Sequence, residues 1–161
     1  MRTYLTRQEE LLGEHLLYEI QMLHETRKAL NGERVSDQII TNALMESFCG
    51  HARNLNEFFV EVLRDDTLKA SSFATADYGR PMNSADRQTL FKKINKQISH
   101  LTIERTSVPE EKIGSADREQ MYGWIYALLE HFAKHVRPEL RSSWKIRFGE
   151  RTDDPTTKEC G

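Results

Sequence analysis

An apolar stripe between residues 40 and 62 constrains the fold more than any other feature of the sequence. Its members recur at intervals of three or four residues: Ile40, Leu44, Phe48, His51, Leu55, Phe58 and Val62. This spacing returns to one side of an α-helix, whereas a strand would alternate every second residue. The stripe therefore predicts a long helix that follows Ser36-Asp37 and buries one side along its whole length.

The same spacing predicts further helices on both sides of this one. Residues 6–32 begin with the capping pattern Thr6-Arg-Gln-Glu9 and end at Asn31-Gly32. The inward positions of the later helices are Phe91, Ile94, Ile98 and Leu101 in residues 84–105, and Met121, Ile125, Leu128 and Phe132 in residues 115–136. Pro138 suits the first turn of a short fifth helix.

No segment shows a sustained period of two, so the chain is predicted to be all-α. Four or five helices with apolar stripes indicate an up-and-down helical bundle. Residues 65–84 lose the pattern and predict a long loop between helices two and three, with Phe73 and Tyr78 as candidate anchors. One bundle domain is expected over residues 1–149, followed by a flexible tail over 150–161.

Charge and composition narrow the classes of function. The 161 residues include 23 basic and 25 acidic side chains, and the net charge of -2 argues against a globally basic nucleic-acid binder but leaves room for a local basic face. No apolar run approaches the roughly 18 to 20 residues that span a bilayer, and no secretory leader pattern is present. We expect a cytoplasmic protein with no membrane contact, in which Cys49 and Cys160 are reduced.

On the second and fourth predicted helices, three histidines lie at positions that could carry chemistry. His51 falls inside the apolar stripe, where the simpler interpretation is a neutral core histidine with one hydrogen bond. The alternative is a ligand or a supporting position. His131 and His135 are four residues apart and so share one side of a helix, a spacing that suits a shared metal but also arises by chance.

The polar side of the third predicted helix is basic. His100 falls roughly 140° from the inward side, with Lys96 one turn before it and Lys93 one turn before that. Lys92 lies at the edge of the same face. Such a face attracts phosphate, and neighbouring ammonium groups favour a neutral histidine that can accept a proton. A solvated charged face without function is the alternative.

Two segments resemble the HEPN superfamily of bacterial helical bundles: residues 46–59, ESFCGHARNLNEFF, and residues 94–105, INKQISHLTIER. Many members of that superfamily are ribonucleases of toxin–antitoxin and phage-defence systems. Their motif is an arginine, a polar residue, three variable residues and a histidine. Asn95, Lys96 and His100 occupy that spacing here, with asparagine where the family usually has arginine.

The resemblance implies a homodimer that cleaves RNA without a metal or other cofactor. Asn95, Lys96 and His100 would then be the catalytic residues, and Lys92, Lys93 and Arg105 would bind RNA. The toxin–antitoxin setting also implies a small protein partner. Non-catalytic members of the superfamily bind nucleotides or partners.

Two other functions stay open. DinB-like four-helix bundles bind a divalent metal through one histidine of helix two and a His-x3-His pair of helix four, and His51, His131 and His135 match that order. A helical protein-interaction module would need no active site at all.

Overall fold

The computed structural model describes residues 6–32, 37–60, 68–79, 81, 84–95 and 112–148. Over these ranges the protein is an all-α helical bundle, as predicted, and the structure shows no strand in them beyond one isolated bridge. The α-helices are α1 (Arg7–Glu10), α2 (Leu17–Asn31), α3 (Gln38–Val60), α4 (Ala85–Ile94), α5 (Ser115–His135) and α6 (Arg141–Phe148). The predicted tail, residues 150–161, lies outside the described ranges.

The first predicted helix is continuous from Arg7 to Asn31 but changes its winding. A π-helical segment, Leu11–Leu16, joins α1 to α2 with right-handed helical backbone on both sides. The predicted capping box is present: the Thr6 backbone N–H donates to Glu9 Oε2 at 2.7 Å, and the Glu9 N–H donates to Thr6 Oγ1 at 3.3 Å. The start and end of this helix are therefore confirmed, whereas its π-helical segment was not predicted.

The apolar stripe of α3 is buried or mostly buried from Phe48 to Phe58, whereas Leu44 before it is only partly buried. Phe48, Leu55 and Phe58 belong to the core, as predicted. The prediction was wrong at the start of the helix, where Ile40 is 52% exposed and the carboxylate of Asp37 accepts the backbone N–H of Ile39 at 2.7 Å. Val62 lies outside the described residues.

Paired contacts fix the directions of the helices. Glu19 near the start of α2 contacts His51 and Asn54 near the end of α3, so these two helices run antiparallel. His24 contacts Tyr122, and Arg27 contacts Glu119 one turn back along α5, which makes α2 and α5 antiparallel too. Lys93 at the end of α4 pairs with Asp117 at the start of α5. The directions match the predicted up-and-down arrangement.

The α2–α5 contact is polar. Arg27 forms two short bonds to the carboxylate of Glu119, from Nε to Oε1 at 3.0 Å and from Nη2 to Oε2 at 2.6 Å. Asn31 donates to Glu119 Oε1 at 2.9 Å and accepts a bond from the buried Arg118 at 3.1 Å. The Arg27 guanidinium also lies 4.2 Å from the centre of the Tyr122 ring. These bonds fix the axial position of α2 against α5.

Aromatic rings fill the centre of the core. Phe132 of α5 makes edge-on contacts with rings from α3, from the segment 68–79 and from α6: Phe58, Phe59, Tyr78 and Trp144. Such contacts add about 0.5 to 1.5 kcal/mol to the burial of each pair. The inward positions predicted for this helix, Met121, Ile125, Leu128 and Phe132, are all buried.

The predicted loop between helices two and three is anchored where the structure describes it. It contains a 3-10 turn, Ala70–Ser72, after which Phe73 enters the core. The Thr75 backbone N–H donates to the His135 carbonyl at 2.7 Å, and the Arg137 N–H donates to the Phe73 carbonyl at 3.0 Å. Phe73 and Tyr78 thus pin this segment to the bundle, as predicted.

The predicted third helix is described as α4, with Phe91 and Ile94 buried as expected. Its predicted continuation to residue 105, including Ile98 and Leu101, lies outside the described residues. Pro138 opens a 3-10 turn that leads into α6. Across the parts of the chain that the structure describes, no helix combines the length and the apolar character needed to cross a bilayer.

Candidate functional site

The predicted catalytic motif begins at the exposed end of α4. Lys92 and Asn95 are exposed, three residues apart, and therefore neighbours on the helix surface. The Asn95 backbone N–H donates to the carbonyls of Phe91 and Lys92, so Asn95 continues the helical turn. Lys96, His100 and Arg105 lie outside the described residues, and the structure does not place them relative to Asn95.

Lys93 is held by an ion pair that the sequence did not predict. Its Nζ lies 2.7 Å from Asp117 Oδ2, and both side chains are about three-quarters buried. Asp117 also accepts the Gly114 backbone N–H at 2.9 Å, at the start of α5. The charge of Lys93 is thus balanced within the bundle, which leaves Lys92 as the better placed of these two lysines to meet an external phosphate.

Arg87 is a cation that our sequence analysis missed. It lies four residues before Phe91 and seven before Ile94, in register with the buried side of α4. Its guanidinium is 5.7 Å from the centre of the Trp124 ring, and among the residues that the structure describes its buried Nε and Nη1 have no hydrogen-bond partner. This burial lowers the pKa of Arg87 from its usual value. The spacing of four residues between Arg87 and Phe91 could have indicated from the sequence that Arg87 lies on the buried side of the helix.

The structure brings His131 and His135 together. Their ring centres are 4.6 Å apart, and Tyr78 contacts both. His131 Nε2 donates to the Gly79 carbonyl at 3.1 Å, and His135 Nδ1 donates to the His131 carbonyl at 2.8 Å, because a carbonyl can only accept. One nitrogen of each imidazole ring is therefore occupied by a hydrogen bond within the bundle.

His51 has different partners. Its Nδ1 donates to Glu19 Oε2 at 2.7 Å, and the Tyr18 ring lies edge-on at 5.6 Å. The imidazole is mostly buried, with 15% of the side chain exposed, in agreement with the prediction. Among the described residues, which include His51, His131 and His135, no group of three or more His, Cys, Asp or Glu side chains could hold a metal ion.

A pocket of about 420 Å³ opens beside the His51–Glu19 pair. Its walls come from the π-helical segment, the start of α2, the end of α3 and the segment after residue 67. Apolar lining comes from Leu11, Leu12, Leu16, Leu55, Phe58, Leu68 and Phe73, and polar lining comes from His15, Tyr18, Glu19, Asn54 and Glu57. Its size and its mixture of apolar walls with a few polar groups are typical of small-molecule sites.

The polar side of this pocket is organised around one carboxylate. Glu19 Oε2 accepts from His51 Nδ1 and also from Asn54 Nδ2, the latter at 3.2 Å. Glu57 is bound by Arg53 Nε at 3.2 Å. The sequence did not predict the pocket, because the residues that line it come from three segments that are far apart in the chain. Gly13 in the middle of a predicted helix and the polar Glu19 do not by themselves indicate a pocket.

Comparison of this chain with protein-family models, with curated proteins and with solved structures finds no match.

Proposed function

We propose that the chain is a HEPN-like protein that binds RNA along the polar side of α4 and cleaves it without a metal. The observation that carries the proposal is the exposure of Lys92 and Asn95 on one surface, while Phe91 and Ile94 of the same helix are buried. The motif that ends at His100 therefore begins on the solvent side of the bundle. An exposed lysine at that point is suited to a phosphate contact.

The chemistry requires few groups. Cleavage of RNA by its own 2′-OH needs a base for that hydroxyl and a positive or hydrogen-bonding group for the charge that develops at phosphorus. His100 is the candidate base, and Lys92 and Lys96 are the candidate cations. The Asn95 amide supplies a neutral donor where the HEPN motif usually has arginine.

Two readouts test the proposal. Binding of a fluorescently labelled single-stranded RNA is measured by anisotropy at increasing salt, with wild type, Lys92→Ala and the control Lys134→Ala, an exposed lysine on α5. We expect Lys92→Ala to weaken binding and reduce the salt dependence by about one counterion, and Lys134→Ala to leave both unchanged.

Cleavage is then followed on structured and single-stranded RNA with EDTA present. Wild type should cleave, and His100→Ala should bind RNA without cleaving it. Equal cleavage by wild type and His100→Ala would show that His100 is not the catalytic base. No RNA binding by folded wild type would overturn the proposal and favour a helical protein-interaction module.

A further inference from the structure

We infer that the pocket between the first helix and α3 binds a small organic amine with an apolar body, and that the Glu19 carboxylate receives its ammonium group. No part of this inference depends on the RNA proposal. The pocket volume of about 420 Å³ lies in the range that small-molecule sites occupy.

The inner surface of the pocket selects for an apolar body. Leu12, Leu55 and Phe73 line it and are nearly inaccessible to solvent, and Leu16 and Phe58 are almost as deeply buried. An apolar ligand group placed against them is removed from water, which contributes about 25 cal/mol per Å² of buried apolar surface. A ligand without such a group would bury no apolar surface of its own against these side chains.

Charge decides which head group fits. The lining contains the carboxylates of Glu19 and Glu57 and, within the described residues, no lysine or arginine. Arg53 offsets Glu57 from outside the lining, so Glu19 is the carboxylate best placed to attract a cation. A carboxylate or phosphate head would meet repulsion from these two groups, whereas an ammonium would gain a charge-assisted hydrogen bond.

Glu19 is held in place before any ligand binds. His51 and Asn54 both donate to its Oε2, so the carboxylate is oriented from the α3 side. Tyr18 lies beside it, is 54% exposed and contacts the His51 ring through an edge-on arrangement. Tyr18 therefore offers an aromatic surface at the mouth of the pocket for a cation.

The π-helical segment is a second, independent observation. Leu11, Leu12, His15 and Leu16 all line the pocket and all come from it. The π-helix is rare in proteins, appears mostly as single turns inside α-helices, and occurs frequently at functional sites. The π-helical segment therefore forms one wall of this pocket.

The experiment uses three probes that share one body: 4-phenylbutylamine, 4-phenylbutanol and 4-phenylbutyrate. Their dissociation constants for the full chain are measured by isothermal titration calorimetry at pH 7. We expect the amine to bind about tenfold more tightly than the alcohol, because one charge-assisted bond contributes about 1.5 kcal/mol. The carboxylate should bind more weakly than the alcohol. Equal affinities, preference for the carboxylate or no binding would each overturn the inference.

Variants locate the site. Glu19→Gln should remove the preference for the amine and keep the affinity for the alcohol. Leu68→Trp places a larger side chain at a half-exposed position of the lining and should weaken all three probes. Glu130→Gln, an exposed carboxylate on α5, is the control. An unchanged amine preference in Glu19→Gln would exclude Glu19 as the recognition group, and an effect of Glu130→Gln would indicate unspecific attraction.

Discussion

His51 Nδ1 lies 2.7 Å from the Glu19 carboxylate, and this bond joins the first helix to α3 at the edge of the pocket. Both side chains are mostly buried. The relationship explains why a histidine occupies the apolar stripe of α3: its position on the helix is that of a core residue, and its partner comes from the facing helix.

The His51–Glu19 bond should contribute measurably to stability. We expect His51→Ala and Glu19→Ala each to lower the free energy of unfolding by about 1 to 3 kcal/mol, because each leaves a partly buried polar group without its partner. A double-mutant cycle by urea denaturation should show a coupling energy of at least about 0.5 kcal/mol. Additive effects of the two substitutions would mean that the bond does not form in solution.

The stripe of α3 should show two distinct responses to truncation. Phe48→Ala and Leu55→Ala should each cost about 2 to 5 kcal/mol, because they remove fully buried side chains and leave cavities. Ile40→Ala should change stability by less than about 0.5 kcal/mol, because that side chain is half exposed. Comparable losses for Ile40 and Leu55 would indicate that the start of α3 is covered by further contacts.

Cys49 should be unreactive in the folded protein. It is fully buried, and burial raises the pKa of its thiol to about 12. In a Cys160→Ser background, a thiol reagent at pH 8 should modify Cys49 only after denaturant is added, because the thiolate is the reactive form. Rapid modification without denaturant would show that the core opens locally.

The same burial predicts a pH dependence above the pKa of an ordinary thiol, 9.0. Between about pH 9 and 12 the unfolded chain loses the Cys49 proton while the folded chain keeps it, so stability falls by up to about 1.4 kcal/mol per pH unit. Cys49→Ala should remove this contribution. Denaturation at pH 7 and pH 10 compares the two proteins, and identical pH dependences would contradict the assignment.

The Glu119 contacts should weaken in acid. Hydrogen bonds from Arg27 and Asn31 lower the pKa of this carboxyl below its ordinary 4.5, so its stabilising contribution is present at neutral pH and is lost as pH falls through the lowered value. Because the side chain is 43% exposed, Glu119→Gln should cost less than about 1 kcal/mol at pH 7. The cost should decrease as the pH falls and also in high salt, whereas Glu130→Gln should have no effect at neutral or acid pH.

The asparagine of the candidate RNA motif gives the last prediction. If Asn95 takes the place of the usual HEPN arginine, Asn95→Arg should raise the rate of RNA cleavage and Asn95→Ala should lower it. Asn95 is exposed, so both variants should keep the wild-type stability within about 0.5 kcal/mol. Rates are compared on one RNA with EDTA present, and a lower rate for the Asn95→Arg variant than for the wild type would contradict a HEPN-type role for residue 95.

Local signals predicted much of the fold. The Thr6 capping box, the Asn31-Gly32 stop and the buried stripe of α5 depend on residues near one another in sequence, and all agree with the structure. Ile40 was misassigned because periodicity shows which side of a helix is apolar but not where the covering elements end. The π-helical segment was missed because its side chains also suit an α-helix.

Most of the site depends on distant pairs. Lys93 and Asp117 each resemble ordinary surface charges in the sequence, and only the packing of α4 against α5 joins them. The partner of His51 comes from 32 residues earlier. A single sequence identifies such side chains as candidates but does not tell which of them meet.

The π-helical segment has a consequence for the register of the first helix. An α-helix turns by about 100° per residue, and a π-helical turn holds one residue more than an α-helical turn. Removing one residue from Leu11–Leu16 would therefore allow regular α-helix from Arg7 to Asn31 and would leave the helix on both sides of the deletion in about its present orientation. The extra residue is contained within one wide turn, and that turn forms a wall of the pocket, so a one-residue deletion there should change the shape of the pocket while α2 keeps its packing against α3.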